Sequence, residues 1–433
     1  MSSLLKNKIF KNASWIIACK IVQAVLNLIV TMLSARYLGP SGYGLINYAA
    51  SVVAFATPIM QLGLNSVLVQ EIVNAPEKEG EALGTSLIMS FCTSFLTIAG
   101  VVSFVAIANH GEKETIIVCA LYSILLIFQS LELIQYWFQA KLKSKYPSIV
   151  MLVAYVVMSA YKIFLLVTGK NIYWFALSQA IDFLIISVLL LIIYQKIGTQ
   201  KLTISWERAK SIFSKSKYYI VSSLMVTIFA QTDRIMLKLM IGGEATGYYS
   251  AAVACAGMTG FIFSAIIDSA RPSIFESKNC NIESFEKNVS RLYSVVIYFA
   301  LLQCVFITIL AKPIVHILYG KEYEPSINAL RLIVWYTTFS YIGSVRNIWI
   351  LAEGKQKVLW ILNLSGALLN VVLNYFLIPI LGIMGAALVS LITQIFTNVI
   401  MGFIIKPIRR NNKLMFQALN PKCVIELMRK VKR

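Results

Sequence analysis

The sequence predicts an all-α, polytopic membrane protein of about twelve spanning helices in two six-helix lobes. Three observations predict it. Apolar side chains make up 58% of the 433 residues, only 13% are charged, and the mean hydropathy is +0.75. A soluble domain carries roughly 45–50% apolar and about 25% charged residues, so the bilayer must be the solvent. The apolar residues also fall in long unbroken runs, not in the alternating ~10-residue segments of a membrane barrel. Finally, the loops between runs carry Lys and Arg on one side far more than on the other. Twelve spans of ~20 residues use about 240, which leaves no room for a large water-soluble catalytic domain.

The expected spans are 13–33, 42–64, 83–108, 115–138, 148–168 and 172–195 in the first half. In the second half they are 218–241, 248–270, 290–311, 329–352, 358–380 and 383–405. The first follows Lys6, Lys8 and Lys11 but is too long for a signal peptide and lacks a small-x-small cleavage site. The second begins after the turn Leu38-Gly39-Pro40-Ser41-Gly42-Tyr43-Gly44 and carries Pro58 as a kink. Lys78 precedes the third, Lys113 the fourth, Lys141, Lys143 and Lys145 the fifth, and Lys170 the sixth. The basic loop 196–217 leads into the seventh, and Gly242-Gly243 into the eighth. Arg271, Lys278 and Lys287 precede the ninth, Lys312 and Lys321 the tenth, Lys355 and Lys357 the eleventh, and Leu381-Gly382 the twelfth.

With the N-terminus inside, 27 basic residues fall on the cytoplasmic side and five on the other, which sets both termini on the cytoplasmic side. That bias accounts for most of the net charge of +20 without nucleic acid. The tail 406–433 meets anionic lipid headgroups or is simply a topology signal. The seven cysteines form no CxxC. Cys19, Cys92, Cys119, Cys255 and Cys304 read as small hydrophobes. His110 and His316 are too far apart in sequence for a metal or hydrolase site.

Six runs on each side of 196–217 point to duplication. The domains expected are a lobe over 1–195, the loop 196–217, a lobe over 218–405 and a basic tail over 406–433. The Gly39–Gly44 turn recurs as Gly242–Gly247, 203 positions later. With an even number of spans per half, the repeats share one orientation and flank a cavity. Polar faces repeat too. Lys20, Gln23, Asn27 and Thr31 share one face of the first span, as do Ser223, Thr227, Arg234 and Lys238 in the seventh. Ser250, Ser264 and Asp268 mark the eighth, and Asn363, Asn370 and Asn374 the eleventh. Such faces line helix contacts or a wet cavity, not lipid.

The charges within or near the spans are Lys20, Lys162, Arg234, Lys238, Arg291, Arg331 and Arg346, against Glu132, Asp182, Asp233 and Asp268. Each ion at a helix centre costs ~2.5–3.5 kcal/mol, so the set needs compensation. A cationic excess suits an anionic passenger, with phosphate or pyrophosphate the natural partner of Arg and Lys. The expected substrate-binding set is Lys20, Gln23, Asn27, Lys162, Arg234, Lys238, Arg331 and Arg346. Glu132, Asp182 and Asp233 either exchange a proton or sodium ion with a transmembrane gradient or stay ionised and paired. No catalytic residue, metal or cofactor is expected.

With these residues in view, the chain resembles bacterial polysaccharide repeat-unit flippases of the O-antigen exporter type, in the multidrug/oligosaccharidyl-lipid/polysaccharide exporter superfamily. The resemblance rests on the Leu38–Gly44 turn, on Gln231-Thr232-Asp233-Arg234-Ile235-Met236-Leu237 and on Gly247-Tyr248-Tyr249-Ser250-Ala251-Ala252. It rests also on Leu318-Tyr319-Gly320-Lys321-Glu322-Tyr323, and on Ile378-Pro379 followed by Leu381-Gly382-Ile383-Met384-Gly385-Ala386-Ala387. It implies a MATE-like exporter fold, alternating access, and a polyprenyl-pyrophosphate-linked glycan as passenger. It also implies a place beside polysaccharide polymerase machinery. A multidrug or small-metabolite antiporter of the same superfamily is the nearest rival, although cationic drugs favour an anionic or apolar cavity. A membrane polysaccharide polymerase would need a larger outer loop than 312–328.

Overall fold

The structure, a computed structural model, describes residues 3–420; for 3–21, 24 and 25 it describes the backbone alone. Its helices are α1 (Ser3–Met60), α2 (Leu68–Asn74), α3 (Glu79–Ala108), α4 (Lys113–Ser123), α5 (Leu125–Leu131), α6 (Gln135–Ala140), α7 (Lys145–Val167) and α8 (Ile172–Ile197). They continue with α9 (Trp206–Met240), α10 (Gly243–Gly257), α11 (Gly260–Cys280), α12 (Ile282–Leu318), α13 (Ser326–Ala352), α14 (Lys357–Leu381), α15 (Ile383–Ile395), α16 (Met401–Ile404) and α17 (Arg409–Gln417). No strand occurs among the described residues.

Every predicted span falls on helix. By length and apolarity, however, nine helices among the described residues can cross a membrane, or ten if the α10–α11 pair, bent by 45°, is one span. The number twelve is not reached on that measure, for two reasons. The sequence places two spans on α1, which is one helical element broken only at Gly39, where φ is 67°. Helix α13, which carries two arginines with several hydroxyls and aromatics, is not among the helices that qualify.

The break at Gly39 has its counterpart at Gly242, with φ 136°. Both positions need a backbone that a side chain disfavours, which is why glycine ends the first helix of each half. Gly111 and Gly169 in the first half, and Gly320 and Gly382 in the second, close the next two turns on the same side in the same left-handed way.

Packing groups the chain into two units, Met1–Gln231 and Thr232–Arg433, with the division inside α9. The core of the first is built around Leu68, Leu83, Trp137, Phe138, Tyr194 and Ile212. That of the second is built around Phe263, Phe285, Tyr293, Trp349, Leu362 and Met415. In each, a fully buried tryptophan lies under a lysine of the following turn. Lys143 is 5.4 Å from the Trp137 ring centre and Lys355 is 4.8 Å from that of Trp349, and the two pairs have the same spacing in sequence.

At its basic end each unit is closed by the segment after its last long helix. In the first unit the predicted loop 196–217 is not free chain. From Trp206 it is helix, and 199–205 is strapped along the start of α3. Gly80 N donates to Gln200 Oε1 (3.0 Å), Thr203 N to Gly80 O (3.3 Å), Gln200 Nε2 to Pro76 O (2.9 Å) and Ser205 N to Thr85 Oγ1 (3.1 Å). A Cβ on Gly80 would collide with the carbonyl of Lys201, and one on Gly84 with that of Thr203. Glu79 pairs with Lys141 (2.5 Å), and Glu71 with Lys215 (2.6 Å) and Arg208 (3.4 Å).

In the second unit the described part of the expected tail forms α17, docked on α12. Tyr293 Oη donates to Asn411 Oδ1 (2.9 Å), Ser294 Oγ to Ala418 O (2.8 Å) and Tyr298 Oη to Leu419 O (2.7 Å). Arg410 pairs with Glu286, and Glu353 bridges Lys278 and Lys355. Burial acts to raise the Glu353 carboxyl, but hydrogen bonds from the two lysines outweigh it and hold the group below the ordinary carboxylate range.

Candidate functional site

Each unit has a polar core of its own. In the second unit the centre is Asp233 on α9, only 6% exposed. Its carboxylate accepts four hydrogen bonds. Tyr249 Oη on α10 (2.6 Å) and Ser390 Oγ on α15 (2.5 Å) reach Oδ2. Asn370 Nδ2 (3.1 Å) and Asn374 Nδ2 (2.6 Å) on α14 reach Oδ1. Asn374 also donates to Asn370 Oδ1 (3.0 Å), and the Tyr249 and Ser390 hydroxyls are 3.0 Å apart. The two asparagines lie one turn apart on a single helical face, so the helix itself sets their fork. No cation lies within ion-pair distance of Asp233 among the described residues. The charge is therefore stabilised by neutral donors alone, each worth about 1.5–3 kcal/mol where the partner is charged. A carboxylate surrounded by groups that also carry oxygen lone pairs has the chemistry to accept a small cation.

Arg234 and Lys238 follow on α9, half-buried and one turn apart. Arg234 and Asp233 both act electrostatically on Tyr336 of α13. Arg346 is placed elsewhere. It is 5% exposed, donates to the carbonyl of Thr397 and has Tyr293 as an electrostatic neighbour. That position is in the packing of α12, α13 and the π-helical turn 396–400. Arg331 is exposed near the start of α13 and donates to Asn328 Oδ1 at 3.1 Å. Along the helix it is about 22 Å from Arg346, so the two cannot grip one group.

In the first unit the polar core is charged rather than neutral. The span 113–140 is broken at Ile124 and at the 3-10 turn Glu132–Ile134, and this second break presents Glu132. Asp182 of α8 acts electrostatically on Glu132, on Lys162 of α7, and on Tyr122 and Tyr155. Asp182 and these four side chains are half-buried. Lys162 and Asp182 are not in ion-pair contact, and Asp182 Oδ1 is buried without a hydrogen-bond partner among the described residues. Gln23 and Asn27 stand on α1 with Thr31, whose hydroxyl donates to Asn27 Oδ1 at 3.2 Å; Asn27 is exposed. The side chain of Lys20 lies outside the described residues.

Sequence reasoning missed Tyr249, Ser390, Tyr122 and Tyr155, which read as ordinary aromatic and hydroxyl positions in apolar helices. It registered Asn370 and Asn374 as a stripe without linking them to Asp233, because nothing local connects α9 to α14.

Comparisons agree with this architecture. The chain is 22% identical over 395 residues to a capsular polysaccharide biosynthesis protein, CapF, of Staphylococcus aureus, covering 89% of this chain and 96% of that one. It is 22% identical over 404 residues to a putative O-antigen transporter of Shigella flexneri, covering 88% and 93%. Among solved structures it superposes on the lipid II flippase MurJ, inward closed, with a TM-score of 0.73 at 17% identity, covering 95% of this chain and 92% of that one. It superposes on an inward-facing multidrug resistance MATE transporter of the MOP superfamily with a TM-score of 0.65 at 15% identity, covering 91% and 96%. The fold is thus that of the MOP exporters, and the protein is a multi-pass membrane protein. A polysaccharide biosynthesis protein model matches residues 9–278, more than half of the sequence, and the chain belongs to that family.

Proposed function

We propose that the chain is a flippase that moves polyprenyl-pyrophosphate-linked oligosaccharide repeat units, precursors of O-antigen or capsule, across a bacterial cytoplasmic membrane. The observation that carries this reading is the match over almost the full length to relatives named for capsular polysaccharide and O-antigen transport. Both termini are cytoplasmic, following the basic bias of the loops, and polymerase machinery takes the product on the far side. The protein makes and breaks no covalent bond. Alternating access exposes the bound headgroup first inward and then outward, while the polyprenyl tail stays in lipid.

In this mechanism Arg234 and Lys238, one turn apart, replace the hydration of the pyrophosphate. Lys20, Gln23, Asn27 and Lys162 serve the same headgroup from the first unit. Arg331 and Arg346 belong to the same cationic set, with Arg331 exposed near the start of α13 and Arg346 buried against Thr397. Coupling to a proton or sodium gradient runs through Asp233, with Asp182 and Glu132 as the alternative carriers. Neutralising Asp233 would release the claim of its four donors and so bias the packing of α9 against α10, α14 and α15.

The test is surface polysaccharide in a strain lacking the gene, complemented by wild type, Arg234→Ala or Lys20→Ala. The expected result is loss of surface glycan with either variant at normal membrane levels. Normal surface glycan in the deletion strain would refute the flippase reading. Normal glycan in both variants would refute the cationic headgroup site. Transport in reconstituted vesicles that ignores both proton and sodium gradients would remove the coupling role.

A further inference from the structure

A recess of about 340 Å³ lies between α11 and α13 in the second unit, apart from the Asp233 core. One wall is the α11 face carrying Ser264, Asp268 and Arg271; the other is the α13 face carrying Tyr341, Ser344 and Asn347. Asp268 and Arg271 pair at 3.1 Å, yet their side chains remain 63% and 49% exposed. Ser264 and Asn347 are exposed as well. A charged and hydroxylated face of this kind cannot look at acyl chains, so the recess faces water. From Gly243 to Asp268 the helical path is roughly 35 Å, longer than the ~30 Å hydrocarbon core. The recess therefore sits at the basic end of the unit.

Its chemistry differs from that of a phosphate site. The carboxylate and guanidinium cancel, which leaves no net charge to attract an anion. What remains is a set of groups that both donate and accept, with a carboxylate that accepts only and a guanidinium that donates only. The lining includes the aromatic ring of Tyr341, held in place by stacking on Phe263 with centroids 3.9 Å apart and planes 9° apart. Vicinal hydroxyls on a sugar need paired donors and acceptors, and the C–H face of a pyranose packs on an aromatic ring. The volume is at the lower end of the ~300–1,000 Å³ typical of ligand pockets, which suits one or two sugar rings.

We propose that this recess is a saccharide subsite, which takes a neutral sugar of the lipid-linked glycan as it arrives at the basic end of the second unit. The proposal rests on the flippase reading above. Asp268 and Arg271 would bridge adjacent hydroxyls, Asn347 and Ser344 would fix the ring's register, and Tyr341 would support its apolar face.

The experiment uses the full chain in lipid nanodiscs and two probes: undecaprenyl pyrophosphate, and the lipid-linked oligosaccharide extracted from cells lacking this protein. Wild type should bind the glycosylated probe more tightly than the bare one. Asp268→Asn combined with Asn347→Ala should weaken the glycosylated probe by about tenfold, the scale of a lost charged hydrogen bond, and leave the bare probe unchanged. Ser344→Trp, which fills the recess from the α13 wall, should remove the same preference. If the preference survives in both variants, the subsite is overturned while the flippase reading stands. If wild type binds neither probe, the flippase reading fails and the subsite goes with it.

Discussion

Asp233 and Asp182 lie on membrane helices of different units, and their surroundings differ in kind. Asp233 is closed off from solvent and receives four short hydrogen bonds from neutral groups on three helices. Asp182 is half-buried, has a lysine and a glutamate as electrostatic neighbours, and leaves one oxygen without a hydrogen bond. In the first case geometry holds the charge, and every donor is placed by the helix that carries it. In the second, one oxygen has no hydrogen-bond partner among the described residues, and the lysine and glutamate act on the group without ion-pair contact. The comparison teaches that two units can share turns, tryptophan–lysine pairs and closing segments while differing in the polar interior. The paired breaks at Gly39 and Gly242 and the lysines over Trp137 and Trp349 show the shared part.

The largest effect should come from breaking the neutral cage. Asp233→Leu strands four buried donors, each costing roughly 1–3 kcal/mol when left without an acceptor. Thermal unfolding of the purified protein in detergent should show a destabilisation of about 3 kcal/mol or more, whereas Asp233→Asn, which keeps one acceptor, should cost clearly less. Equal stability of Asp233→Leu and wild type would mean the cage is not what holds α9 in place.

Next in size is the strap. Gly80→Val and Gly84→Val put a side chain into the backbone of 201–203, an overpacking cost of typically 1–3 kcal/mol. Limited proteolysis should find 199–205 newly cleavable in both variants. Resistance equal to wild type would show that the strap can shift without coming away.

A smaller effect is expected at the charged core. A double-mutant cycle on Asp182→Asn and Lys162→Met should return a coupling below about 1 kcal/mol, because the pair is not in contact. A coupling of several kcal/mol would place the two in direct contact and erase the contrast with Asp233.

The smallest effect concerns Glu353 at the basic end. Its carboxyl is held below the ordinary range in the folded state, so its stabilisation is fully present above the unfolded value of about 4.3. It is lost as pH falls through the lower folded value. The stability gap between wild type and Glu353→Gln should therefore exist at neutral pH and close in acid. A gap that widened on acidification would reverse the assigned sign.

Much of the fold was legible before any coordinates. Continuous apolar runs force helices in a bilayer because no other segment satisfies its own backbone there, and Gly39 and Gly242 mark breaks that the structure repeats with positive φ. The polar faces were legible as well, since spacing of three and four residues puts Asn370 and Asn374 on one side of α14. Tertiary structure alone decided which face meets which charge. Asp233 finds its partners on α10, α14 and α15, up to 157 positions away in sequence, and no local pattern encodes that meeting. It also set Arg346 in packing against Thr397 and left Arg331 at the surface. Residue type and period determine that a side chain is polar and which way its helix turns it; long-range packing determines whether that direction holds a hydrogen-bond partner, a cavity or water.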